Sequence, residues 1–177
     1  KDRRCFLLDP KSGGASLEKY LKIGEDKGIS ERHLPNHRPT WYIPENRSVA
    51  LIWAAVFSRD YAKFILNTAG AKNLTCFHGL YAKPGWEALA PLMTLFLNSS
   101  AGRKSFARVN RFYGDGLNKL EPKDVENMPC PEMRELTEIE AQTLVSSLME
   151  AECLMPRERL MMINRLASRH LDLVPPN

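Results

Sequence analysis

Residues 49–57 (Val-Ala-Leu-Ile-Trp-Ala-Ala-Val-Phe) form an unbroken apolar run between polar flanks. Nine residues lies between the usual strand and helix lengths, and the Val, Ile, Trp and Phe content favours a strand buried on both faces over a core helix. Residues 64–66, 74–77 and 79–82 are further short strand candidates, so a central sheet is the economical expectation. Beyond the break at Pro84-Gly85, residues Trp86, Leu89, Leu92, Met93, Phe96 and Leu97 fall at helical spacing with apolar residues nearly all round. A helix over 86–98 should therefore lie buried against the sheet.

The flanking regions are more polar. Residues 5–8 read as a strand closed by Asp9-Pro10. Ser16 is a candidate N-cap for a helix carrying Leu17, Tyr20, Leu21 and Ile23 and ending near Lys27. Residues 29–47 read as a loop, interrupted at 40–43 by strand-like composition. A polar helical turn is expected at 102–106, followed by strands at 109–113 and 117–120 around the turn signal Asp115-Gly116. The three prolines of 122–131 predict an extended surface segment.

The rhythm then becomes helical. Thr137-Glu-Ile-Glu140 has the pattern of a capping box and predicts a helix from 138 to about 154. Pro156 suits the first turn of another helix, with Leu160, Ile163, Ala167 and Leu171 as its apolar stripe. The expected fold class is α+β: a small central sheet with packed helices, then a C-terminal helical hairpin. The expected domains are 1–131 and 132–177.

Composition narrows the function classes. At 177 residues, 44% hydrophobic and 26% charged, the chain can bury a sizeable core. It has no apolar stretch near the roughly 20 residues that span a bilayer and does not open on Met, which reads as an excised piece of a soluble, cytoplasmic protein. Cys5, Cys76, Cys130 and Cys153 form no CxxC pair, against a zinc knuckle or a disulfide framework. The net charge of +4 is unevenly spread: residues 49–123 carry 10 basic and 4 acidic groups, and residues 124–177 carry 5 and 10. A polyanion would be drawn to the first 123 residues and repelled by the tail.

Within the basic region, Arg103, Lys104, Arg108 and Arg111 are interleaved with Phe106, Phe112 and Tyr113. Guanidinium and ammonium groups neutralise phosphates, and aromatic faces either stack on bases or pack the loop down. Gly114 and Gly116 form a turn rather than a dinucleotide fingerprint, because no third glycine and helix follow. Arg38 stands beside Trp41 and Tyr42: Arg38 has the fork that reads guanine, whereas Trp41 reads as a packing anchor. Cys76 and His78, two apart, would share one face of a strand, an arrangement that permits a thiolate–imidazole pair but that structural roles explain far better.

Gly24-Glu-Asp-Lys-Gly-Ile29, Arg38-Pro-Thr-Trp-Tyr42, Asn67-Thr-Ala-Gly70, Phe77-His-Gly-Leu-Tyr81, Leu97-Asn-Ser-Ser100 and Gly114-Asp-Gly-Leu-Asn-Lys-Leu-Glu-Pro122 occur in order. In these landmarks residues 1–131 resemble the C-terminal target-recognition domain of adenine-specific (amino-N6) DNA methyltransferases of restriction-modification type. In that family a separate domain binds S-adenosylmethionine and methylates a flipped-out adenine through an Asn/Asp-Pro-Pro-Tyr/Phe motif. This chain has no such motif. The resemblance therefore implies a DNA-reading part with no cofactor of its own, partnered by double-stranded DNA and an upstream catalytic domain. It implies phosphate or base contacts from Arg103, Lys104, Arg108, Arg111 and Lys119, and secondarily from Arg38, Asn73 and His78. The acidic hairpin would pack on one of the domains or mediate self-association. Competing readings are a protein–protein interaction module built on that hairpin and a Cys76–His78 hydrolase.

Overall fold

The computed structural model describes Pro10 and residues 13–43, 45–59, 61–109, 112–113 and 117–171. The expected strand at 5–8 lies outside them. The chain forms two compact units, residues 1–46 and 47–177.

In the first unit, helix α1 (Ala15–Asp26) begins one residue before the expected cap: Gly14, at φ 95°, is its N-cap and makes no side-chain capping bond. Ser16 thus lies inside the helix rather than capping it. Gly28, at φ 64°, turns the chain out of α1, with the Ile29 amide bonded to the Gly24 carbonyl at 2.9 Å. A short helix α2 (His33–Asn36) interrupts the expected loop. The strand expected at 40–43 is a turn instead. Its aromatic content serves packing: Trp41 lies so close to Gly24 that a Cβ there would stand 2.5 Å from the indole, and Tyr42 meets Trp41 edge-on at 5.5 Å.

Among the described residues, the second unit holds two three-stranded antiparallel sheets. In the first, β1 (Ile52–Ala55) is central between β3 (Phe64–Leu66) and β4 (Phe77–Leu80). Trp53 is in register with Ile65 on one side and Gly79 on the other. In the second, β6 (Leu117–Lys119) lies between β2 (Phe57–Ser58) and β5 (Phe112–Tyr113). The apolar run 49–57 is therefore not one strand. It passes from one sheet to the other at Val56, whose amide bonds to the Cys76 carbonyl at 3.1 Å and whose carbonyl accepts from the Leu120 amide at 2.8 Å. Phe57, expected in the core, emerges 56% exposed. The candidates at 74–77 and 79–82 also merge into the single strand β4; Leu74 is exposed in the preceding turn, which Asn73 closes through Nδ2 to the Phe77 carbonyl at 2.8 Å.

Helix α3 (Ala90–Asn98) is the hub of this unit, buried at Ala90, Pro91, Leu92, Thr94, Leu95, Phe96 and Leu97. The expected helix starts later than Trp86, which is 59% exposed, because Glu87–Leu89 forms a 3-10 turn and Pro91 fits only the first α-turn. Asn98 closes the free edge of β3: its Nδ2 donates to the Phe64 carbonyl at 2.9 Å and its Oδ1 accepts from the Phe64 amide at 3.3 Å. A side-chain amide thus stands where a neighbouring strand would.

Helix α4 (Ser100–Ala107) is longer than the single turn expected. Residues 122–131 are not wholly extended, since α5 (Pro122–Glu126) is a short helix with Pro122 in its first turn and a capping box between Glu121 and Asp124. The tail follows the expected pattern closely. Thr137 caps α6 (Glu138–Glu152), with reciprocal bonds to Glu140, and α7 (Pro156–His170) buries Ile163 and Ala167, with Leu171 buried just beyond it. Both helices pack against α3, and Asn164 of α7 bonds Ser100 through both amide atoms, at 2.8 and 2.9 Å. The α+β class is borne out.

Candidate nucleic-acid interface

The basic segment is built on the junction between α3 and α4. Ser99 ends one helix and caps the next: its Oγ donates to the Phe96 carbonyl at 2.7 Å and accepts from the Gly102 amide at 3.1 Å. Gly102 and Phe106 form the inward side of α4, and Phe106 meets Phe64 edge-on at 6.4 Å. With those positions inward, helical spacing turns Lys104 and Arg108 to solvent.

Arg103 occupies the margin. Its guanidinium carbon lies 3.3 Å over the centre of the Tyr61 ring, and its Nε is buried without a hydrogen-bond partner. A cation flattened on an aromatic face keeps its donor edge available to a planar oxyanion.

The second sheet adds an open face. Phe57 is in register with Lys119, so these two residues and Leu117 share one side of the sheet, while Asn118 is buried on the other. Lys119 pairs with Glu121 at 2.6 Å. Arg111 and the glycine turn at 114–116 lie outside the described residues.

The remaining expected residues are placed elsewhere. Asn73 is buried in the turn before β4. His78, half-buried on β4, bonds through Nε2 to the Leu120 carbonyl at 3.1 Å. Cys76 stands in that turn rather than on a shared strand face, so the thiolate–imidazole pairing has no strand to support it. Arg38 belongs to the first unit, where it is exposed and reaches the Ile43 carbonyl at 3.4 Å. The structure thus sets Arg103 and Lys104 on α4, Arg108 at its C-cap and Lys119 on β6. Among the described residues, no group of His, Cys, Asp and Glu is arranged to hold a metal, and no helix is long and apolar enough to cross a membrane.

Phe57, beside Lys119, and Tyr61, beneath Arg103, were missed by sequence reasoning. The signal was present in Phe57-Ser-Arg-Asp-Tyr-Ala-Lys63, the same mixture of basic and aromatic residues as the 103–113 segment. It was hidden because Phe57 completes an apolar run.

A family model described as the C-terminal domain of type II methyltransferase M.Eco57I matches residues 1–165. The type II methyltransferase M.AccI of Acinetobacter calcoaceticus is 34% identical over 127 residues, covering 70% of this chain and 24% of that protein. The type II methyltransferase M.XamI of Xanthomonas campestris pv. amaranthicola is 28% identical over 122 residues, 68% of this chain and 22% of its own length. The chain spans about a quarter of the length of these curated relatives. No solved structure matches it. The sequence resemblance is borne out at the level of the family, because the match covers nearly the whole chain: it belongs to the family of the C-terminal domain of type II methyltransferase M.Eco57I.

Proposed function

We propose that this chain is the DNA target-recognition part of a site-specific, adenine-specific (amino-N6) DNA methyltransferase of a restriction-modification system in the cytoplasm. Its partners are double-stranded DNA and the methyl-transferring domain of the parent protein. The reading rests above all on α4, where a helix anchored by Gly102 and Phe106 offers Lys104 and Arg108 to solvent and Arg103 on its Tyr61 platform. Such groups hold phosphates and fix register on a duplex, while neighbouring side chains read base edges. Residues 1–131 carry that role and 132–177 back it. S-adenosylmethionine belongs to the catalytic part of the parent. This chain has neither the Asn/Asp-Pro-Pro-Tyr/Phe motif nor a G-x-G-x-x-G fingerprint, so its residues do not fit that cofactor.

Duplex titration at rising salt tests the proposal, using this chain and its parent polypeptide. Log affinity should fall linearly with log salt, by about 0.9 per phosphate contact. Absence of duplex binding by the parent at low salt, or binding unaffected by Lys104→Ala and Arg108→Ala together, would overturn it.

A second reading has its own observation: Ile139, Met149, Met155 and Met161 of the hairpin are all more than half exposed. They favour self-association through α6 and α7, which sedimentation of the chain over a concentration series would reveal as a rising mass.

A further inference from the structure

Between β3, the α3–α4 pair and the α6–α7 hairpin lies a cavity of about 70 Å³ whose wall includes Tyr61, Lys63, Arg103, Glu152 and Arg159. Its size suits an oxyanion better than a nucleobase. The rest of its wall is largely apolar, with Phe64, Leu148 and Ile163 among its residues, and the three cations on it are not equally engaged. Arg159 is committed to the end of α6: it donates to the Ala151 and Glu152 carbonyls at 3.0 and 2.6 Å and pairs with the Glu152 carboxylate at 3.1 Å. Lys63 touches the same carboxylate only at 3.8 Å.

Among the described residues Arg103 pairs with no carboxylate, and its Nε–H is buried and unmatched. That nitrogen is shut off from solvent, so a ligand can meet only the two Nη groups at the end of the guanidinium. Tyr61 covers one face of the guanidinium, which leaves its edge as the chemically competent side. That edge presents parallel N–H groups at the spacing of two phosphate oxygens.

The geometry points to a phosphate-binding site in this cavity: the Arg103 edge takes two oxygens of a phosphate group, Lys63 supplies the second charge, and Glu152 is the internal anion that competes for Lys63. The phosphate comes either from the DNA backbone, which rests on the reading above, or from free phosphate; both present the same oxyanion. Glu152 thereby sets the affinity. Removing its charge should strengthen binding, which a general loss of structure would not do.

The test follows the Arg103 Nε–H resonance in the ¹⁵N-labelled chain during separate titrations with inorganic phosphate and with a short DNA duplex. A shift of that resonance with duplex at lower concentration than with inorganic phosphate supports the site and assigns it to the backbone. A shift with inorganic phosphate and none with duplex supports a free-phosphate site while removing the DNA source. Arg103→Lys and Lys63→Gln should each weaken the responding ligand about 5- to 20-fold, and Glu152→Gln should tighten it several-fold. Lys63 is half-exposed, so Lys63→Gln keeps the test informative even if Arg103→Lys disturbs the Tyr61 stack. No shift with either ligand overturns the site. Duplex binding by the wild type that Arg103→Lys, Lys63→Gln and Glu152→Gln all leave unchanged overturns it too, while leaving DNA recognition by the chain intact.

Discussion

His78 donates from Nε2 to the main-chain carbonyl of Leu120 at 3.1 Å, joining the last strand of one sheet to the residue that follows the central strand of the other. Leu120 is fully buried, so its carbonyl has no ready substitute partner. His78→Ala is expected to cost ~1–3 kcal/mol of unfolding free energy, the range for a buried acceptor left unmatched. Urea denaturation measures this. The salt dependence of duplex binding should stay that of the wild type; intact stability with lost binding would put His78 on the interface instead.

Gly102 is fixed by space rather than by backbone angle. A Cβ there would collide with the Phe96 carbonyl oxygen and stand 2.8 Å from its carbon, so α4 could not hold its position on α3. Gly102→Ala should destabilise by about 3 kcal/mol, at the upper end of overpacking because the obstacle is main chain. Gly70, at φ 60° with open space around it, makes the comparison. There the same change should cost only ~1–2 kcal/mol, the penalty of a left-handed conformation. Equal losses at the two positions in thermal melts would refute the distinction.

The α6 N-terminus carries a pH dependence. The Arg134 guanidinium, followed by the Thr137 amide and hydroxyl, holds the Glu140 carboxyl down at about 2 from an ordinary 4.5. The folded value is the lower one, so this contribution is complete above pH 4.5 and is lost as pH falls from there through about 2. Glu140→Gln should therefore flatten the stability profile across that window, as followed by helical circular dichroism. A separate substitution, Thr137→Ala, should cost ~1 kcal/mol at neutral pH by removing the cap.

Lys104 and Arg108 should each act as phosphate contacts. Lys104→Ala and Arg108→Ala are expected to lower the log–log salt slope of duplex binding by about 0.9 apiece. Lys119→Ala should change it less, because Lys119 must leave Glu121 before meeting a phosphate. The reverse order would move the interface from α4 to the open face of the second sheet.

The elements most legible in the sequence were those fixed by local chemistry. The Thr137 capping box, Pro156 and the 160–171 stripe defined the hairpin because i, i+3 and i, i+4 neighbours decide a helix end and a buried face. The run at 49–57 defeated the same reasoning. Composition cannot reveal that Val56 gives its amide to residue 76 and its carbonyl to residue 120, a division made by tertiary partners alone. Glu121-Pro-Lys-Asp124 was misread because prolines suggested extension, whereas one proline in a first turn is compatible with a helix. The basic stretch 103–108 was found by charge, but its partner Tyr61 lies 42 residues away and only folding brings them together.

The passage of the chain through Val56 also has a consequence for amide exchange with solvent. The Val56 and Leu120 amides are donors just outside the strands, yet both residues are buried and both bonds cross between distant segments. Deuterium should enter these two positions as slowly as the middle of β1, releasing both sheets in a single cooperative opening. Residues flanking regular structure would then report the global stability of the second unit, while the exposed turn at Leu74 would exchange freely.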